Sequence, residues 1–254
     1  MSTIVTAYFK LEKSKASHDI YLDRMKNMLE IDNPMIIFCE KECVECIKNY
    51  RKNKIEKTFI IEIHYKEFYT YRYINSFLQH YNKDHEKKVG HNIFLYLIWN
   101  EKSNFLKTAI EKNPFETEYF LWVDIGCFRK PNKDFIHWPN PYSIQQIPKD
   151  KVLLLEVIPF SEKELSCKLK EELPDFQYTN HIGAPIFGGG KEILLKWHKL
   201  YYNMLEYFIS IDRFIGKDQN IMNSLYLIHR EQCELISWKP GCHDPWFYLQ
   251  DYLQ

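Results

Sequence analysis

Apolar residues recur along the chain with two different periods, and the alternation between them predicts the fold. Thr3–Phe9 and Met35–Cys39 are short, nearly continuous apolar runs, the second preceded by Pro34, and both read as buried strands. Thr58–Tyr65 is β-branched and alternating, which predicts a third strand. Tyr119–Val123, Lys151–Ile158 and His181–Phe187 complete six. Between them the spacing turns helical. Tyr21, Leu22, Met25, Met28 and Leu29 mark a helix over 18–31, and residues 41–50 and 66–81 read as two more. The strongest helix runs over 91–112 and stops at Asn113-Pro114. Two amphipathic helices are expected over 191–210 and 218–229, followed by an apolar segment and an aromatic tail over 230–254. Strands alternating with helices of these lengths imply an α/β fold, with a mostly parallel central sheet flanked by helices. No repeat, low-complexity run or Gly/Ser-rich linker interrupts it, so a single domain over 1–254 is expected. In such sheets ligands bind beyond the carboxyl ends of the strands.

Composition narrows the function classes. Lys+Arg and Asp+Glu are equal at 34 each, which offers no reason to expect a nucleic-acid partner or an anionic membrane surface. No stretch approaches the roughly 20 apolar residues of a membrane span, and the first nine residues lack the basic start of a signal peptide. A cytoplasmic protein is therefore expected, with its seven cysteines, an odd number, as free thiols. Cys43 and Cys46 form a CxxC with no second pair to complete a zinc site. Several motifs are missing. Gly188-Gly189-Gly190-Lys191 continues into Glu192 rather than a phosphate loop, and there is no GxGxxG after the first strand. No GxSxG elbow occurs, and His85-Glu86 lacks the second histidine of HExxH. These absences weigh against kinase, dehydrogenase, esterase and zinc-protease chemistry.

Five places could carry chemistry. Asp124 ends an apolar strand and meets Ile125-Gly126, a position suited to holding a divalent ion or a ribose; a turn cap is the plainer account. Lys102 falls within the apolar stripe Phe94, Leu95, Ile98, Phe105, Leu106, Ala109, with Glu101 at its edge. A lysine facing the core needs a carboxylate or phosphate partner, unless its stem snorkels to the surface. Gly188–Gly190 stand between a strand and a helix, where bare backbone approaches a ligand closely, or simply turns. Asp218, before Gln219, opens a helix and suits its positive end as a cap. His243-Asp244 offers a late histidine of the kind metal centres draw on.

Seven segments, in order and over nearly the whole chain, resemble the HtrL/YibB family of bacterial and viral proteins: VTAYFKLEKSK (5–15), MIIFCE (35–40), LYLIWNEKSNFL (95–106), NPFETEYFLWVDIGCFR (113–129), IGAPIFGGG (182–190), FIGKDQNIMNS (214–224) and DPWFYLQDYL (244–253). Its members look like GT-A glycosyltransferases, a Rossmann-like fold. The resemblance implies a hexosyltransferase-like enzyme with a nucleotide-sugar donor, a UDP-sugar first among them, a glycan or other hydroxyl acceptor, and Mn²⁺ or Mg²⁺. It places Asp124 at the first aspartate of the DxD motif, with Gly126 where the second would stand. It places Thr6, Ala7 and Tyr8 at the nucleobase, and Lys102 and Gly126 beside the donor. Asp124 and His243 become metal ligands, Gly188, Gly189, Gly190 and Asp218 the acceptor side, and Asp218 with Gln219 the catalytic pair. Two other readings stand beside it: a non-catalytic nucleotide-sugar-binding protein, suggested by the missing second aspartate, and a metal-dependent phosphoesterase.

Overall fold

A computed structural model describes residues 2–11, 18–130, 135–242 and 244–254; His243, an expected metal ligand, lies outside them. The elements in chain order are β1 (Ser2–Tyr8), α1 (His18–Leu29), β2 (Met35–Cys39), α2 (Val44–Tyr50), β3 (Thr58–Glu62), α3 (Ile74–Tyr81), α4 (Ile93–Lys112) and β4 (Tyr119–Val123). They continue with α5 (Pro141–Gln145), β5 (Val152–Glu156), α6 (Glu162–Leu165), β6 (Ile182–Gly190), α7 (Lys191–Ser210), α8 (Asp218–Ile228), β7 (Cys233–Ser237) and α9 (Tyr248–Tyr252). The six expected strands are present, and β7 is a seventh within the stretch whose strand character the sequence pattern did not reveal.

The strands form one sheet in the order β3-β2-β1-β4-β6-β5-β7. β1, β2 and β4 are buried along their whole length, as strands covered on both faces must be, whereas β3 and β7 at the edges are only partly covered. β6 is the exception to parallel order: it runs antiparallel to both β4 and β5. A parallel partner for β5 would need a crossover that returns along the sheet. Residues 157–181 hold only the four-residue α6 and a 3₁₀ turn at Lys170–Glu172, with no long helix to make that return.

Side chains alternate between two cores. Val5, Phe120 and Trp122 face α4, α7 and α8; Ile4, Leu121 and Val123 face α1 and α9. α4 is the central helix and is enclosed through its middle: Asn100, Glu101, Lys102 and Ser103 are all buried. The buried stripe matches expectation from Phe105 to Ala109 but not at its start, where Phe94 is exposed and Tyr96 and Leu97 turn inward. The helix expected over 66–81 is two 3₁₀ turns, Tyr65–Glu67 and Tyr69–Tyr73, before α3. Glu101 accounts for the difference. Its carboxylate accepts the backbone N–H groups of Tyr69 and Thr70 and the Thr70 hydroxyl at 2.8–2.9 Å, so these amides are held from outside the segment.

Arg51 fastens the α1 end of the sheet. Fully buried, it donates to Thr58 Oγ1 and to the carbonyls of Leu29, Ile31, Asn33 and Lys57. The planar fork meets a different acceptor with each donor used, which a lysine cannot reproduce. Arg51→Ala strands these buried acceptors, and we expect a loss on the order of 3–5 kcal/mol, read as a lower urea midpoint with an unchanged slope. A midpoint within error of the parent refutes the role.

Candidate active site

The strand period places Asp124 on the same face as Trp122, under α4. There the Lys102 ammonium lies 3.1 Å from Asp124 Oδ1 and 2.9 Å from Asp218 Oδ2, and donates to the Ala184 carbonyl at 3.0 Å. Two ion pairs and one hydrogen bond thus engage the ammonium on three sides. Its side chain is 5% exposed, that of Asp218 6%, and that of Asp124 37%. The Asp124 backbone amide donates to Pro185 O at 2.8 Å, and Trp122 Nε1 donates to Asp124 Oδ1 at 2.7 Å. Oδ1 is thus taken twice, while Oδ2 has no partner among the described residues and is open to solvent.

Local structure sets up this triad from both sides. Asn100 donates from Nδ2 to the carbonyls of Ile215 and Gly216 and accepts from the Tyr201 hydroxyl, pinning the segment that leads into α8. Gly216 is required there: a Cβ would stand 2.4 Å from the Phe214 ring and 2.9 Å from Tyr96. Asp218 follows as the first residue of α8, its Oδ1 accepting from Gln219 N at 2.9 Å. The preceding Lys217 pairs with Glu86 at 2.5 Å. Burial works against the charge on Lys102, but the two carboxylates outweigh it and hold its pKa above the ordinary lysine range. Burial raises the Asp218 pKa, and Lys102 offsets only part of that.

A cavity of about 530 Å³ opens at the carboxyl ends of β1, β2 and β3, and Lys102, Asp124 and Asp218 are not among its lining residues. Phe9, Lys10, Glu40, Tyr65, Phe68 and Phe94 are among the residues that line it. Its walls are aromatic pairs: Phe9 meets Phe68 edge-on at 5.0 Å and Tyr65 meets Phe94 at 4.8 Å. Burial pushes the Glu40 carboxyl up, with Glu42 adding to it. Phe9 stacks on Phe105 and Phe105 on Trp122, so aromatic contact is continuous from the cavity to the residue that holds Asp124.

The family profile described as bacterial proteins of unknown function (HtrL_YibB) matches residues 1–249. The chain belongs to the HtrL_YibB family. It is 26% identical over 233 residues to Protein HtrL of Escherichia coli (strain K12), covering 81% of this chain and 76% of that one. The structure of mouse xyloside xylosyltransferase 1 in its apo form overlays with a TM-score of 0.52 at 11% identity, covering 97% of this chain and 94% of that one. At that identity the likeness establishes the fold, which is GT-A-like.

Several residues expected at the site of this HtrL_YibB chain stand elsewhere. Gly188, Gly189 and Gly190 are not a turn but the end of β6, paired with Leu121, Phe120 and Tyr119 at the end of β4 remote from Asp124. Close packing explains them: a Cβ on Gly188 would stand 2.3 Å from Phe120 O, and one on Gly190 2.4 Å from Lys149 O. No bare backbone is left there for an acceptor. Thr6, Ala7 and Tyr8 are buried within β1, and the cavity begins one residue later, at Phe9. Asp218 is enclosed and bonded to Lys102, away from any incoming hydroxyl. Gln219 is half-buried, its Nε2 donating to Ile182 O. Residues the sequence reading passed over are Asn100, Tyr21 and Arg24; the i, i+3 spacing of the last two on α1 was the available signal.

For a divalent ion, Asp124 offers one free carboxylate oxygen and Gly126 no side-chain ligand. Among the described residues, ligand atoms converge instead at Asp84, Glu86 and His91, within 4.8 Å of one another. These are occupied already: Asp84 accepts from Tyr96 and the Glu86 amide and meets His91 Nδ1 at 2.8 Å, and Lys217 neutralises Glu86. Burial raises the Asp84 pKa, but hydrogen bonds, led by that of Tyr96, outweigh it and hold the carboxyl below its ordinary range.

Lys102→Met removes the one cation between two carboxylates. Asp218 then takes up a proton, with its folded pKa raised far above the unfolded value. Stability of the variant is fully present below about pH 4 and falls as pH rises through that raised value. Melting curves from pH 4 to 8 should show a widening deficit against the parent, and Lys102→Met/Asp218→Asn should recover most of it. A deficit that does not change with pH refutes the account.

Proposed function

We propose that this protein is a glycosyltransferase that takes a nucleotide-sugar, a UDP-sugar first among them, and passes its sugar to the hydroxyl of a glycan or similar acceptor. The observation that carries this reading is Asp124, clamped through one oxygen with the other free at the carboxyl end of β4, on the same edge of the sheet as the aromatic cavity at the ends of β1, β2 and β3. Glu40 follows β2 and Asp124 follows β4, two strand spacings or about 10 Å apart. An extended nucleoside diphosphate covers that interval, with its base among Phe9, Phe68 and Tyr65. The free Asp124 oxygen accepts from a hydroxyl of the donor and orients it. In transfer, the bond from the anomeric carbon to the diphosphate oxygen breaks and its electron pair stays on the diphosphate. The acceptor oxygen forms the new bond and its proton passes to water. Asp218 acts through Lys102 as a positioning residue for Asp124. Gly188–Gly190 take no part, and divalent-ion assistance is not included.

Gly126 favours a second reading, a nucleotide-sugar-binding protein without turnover, because the loop after β4 carries a single carboxylate where two would be expected of a metal-assisted transferase. Slow hydrolysis of the donor in the absence of acceptor separates the two.

Asp124→Asn keeps the size and polarity of the side chain but removes its charge. We expect donor hydrolysis to fall by about 100-fold or more, and Phe9→Ala to weaken donor binding about tenfold. A thermal-shift panel of nucleotide-sugars identifies the donor, because a ligand bound to the native state raises the melting temperature. Turnover unchanged in Asp124→Asn sinks the reading.

A further inference from the structure

The cations of the buried site are spent, with one exception beside it. Lys102 is engaged by Asp124, Asp218 and Ala184, and Lys217 is held by Glu86. Arg24, half-buried on α1, makes no hydrogen bond and no ion pair among the described residues. It stands against the loop that follows Asp124: a Cβ on Gly126 would meet Tyr21 Cε1 at 3.4 Å and Arg24 Cδ at 3.9 Å. Those are ordinary contact distances, and Gly126 is not among the residues with positive φ, so neither backbone nor crowding demands glycine there. A carboxylate at 126 would face Arg24 and neutralise it. Arg129, half-exposed from the same loop, lies over the Phe247 ring at 4.4 Å and 3.8 Å from Asp244. Tyr21 feels the whole group: burial and then Asp124 raise its pKa, and Arg24 and Arg129 pull it back.

We propose that Arg24, supported by Arg129, is the fixed cation that binds the donor's diphosphate, in place of a divalent metal on the Asp124 loop. This rests on the glycosyltransferase reading above and supplies the positive charge that the residues around Asp124 fail to hold as an ion. A guanidinium presents a planar fork that matches two phosphate oxygens at once and stays charged at every working pH. Charge that builds on the diphosphate as the sugar leaves is met by a group already in position. The missing second aspartate and the unpartnered arginine thus have one explanation: at this position a carboxylate would compete with the ligand for Arg24.

The test is calorimetric titration of UDP, with GDP, CDP and ADP alongside, into the full chain in EDTA and again in MnCl₂. We expect an affinity for the preferred nucleotide that differs less than twofold between the two conditions. Arg24→Gln should weaken binding in EDTA at least tenfold and Arg24→Lys by an intermediate factor, while Lys26→Gln on the exposed side of α1 should leave it unchanged. Gly126→Asp should weaken metal-free binding and so serves as an independent variant should Arg24→Gln fail to fold. Binding that vanishes in EDTA, returns with Mn²⁺ and ignores Arg24→Gln overturns the arginine assignment and leaves the transferase reading standing. Failure of all four nucleotides to bind in either buffer overturns both.

Discussion

One ammonium group organises this site. Lys102 reaches from the middle of α4 to Asp124 after β4, Asp218 at the head of α8, and the Ala184 carbonyl in β6. Two buried or half-buried carboxylates on separate elements repel one another, and a single cation between them converts that repulsion into a joint. The sheet, the central helix and the last long helix are therefore held in register at the point where function is proposed. Asp124 emerges with one oxygen fixed and the other free, which orients a ligand better than a carboxylate free to rotate.

The rest of the architecture serves that joint. Asn100 and Gly216 bring the chain into α8 closely enough for Asp218 to reach Lys102. Trp122 closes the other side with its ring N–H and extends through Phe105 to the aromatic cavity. Arg51, on the opposite core, does with carbonyl acceptors what Lys102 does with carboxylates: a buried cation ties separate segments together. In both cases hydrogen-bond acceptors complete the arrangement, without which a charge buried this deeply is strongly destabilising.

Much of the fold was legible because period and length agreed. The continuous apolar runs of β1, β2 and β4 and the long stripe of α7 announce themselves, and Asn113-Pro114 ends α4 as its residues foretell. What escaped were features decided by partners far away in sequence. The helix expected from 66 depended on amides that Glu101 captures from 31 and 32 residues along the chain. The direction of β6 depended on the lack of a returning helix over 157–181, an absence the pattern contained but which no local motif marks. At the site, Asp124 and Lys102 were identifiable because a charge in an apolar run calls for a partner. The glycines misled because close strand packing and close ligand approach demand the same residue.

Those glycines have a further effect through the reversal of β6. The strand carries Ala184 near one end and Gly188–Gly190 at the other, where Phe120 O and Lys149 O leave no room for a side chain. A slip of one residue would push Phe187 into the place of Gly188, against that carbonyl, and would turn every side chain of the strand to the opposite core. The narrow end of β6 therefore acts as a keyway. By forbidding sliding at the floor of the sheet, it fixes the height at which Ala184 offers its oxygen to Lys102 at the mouth.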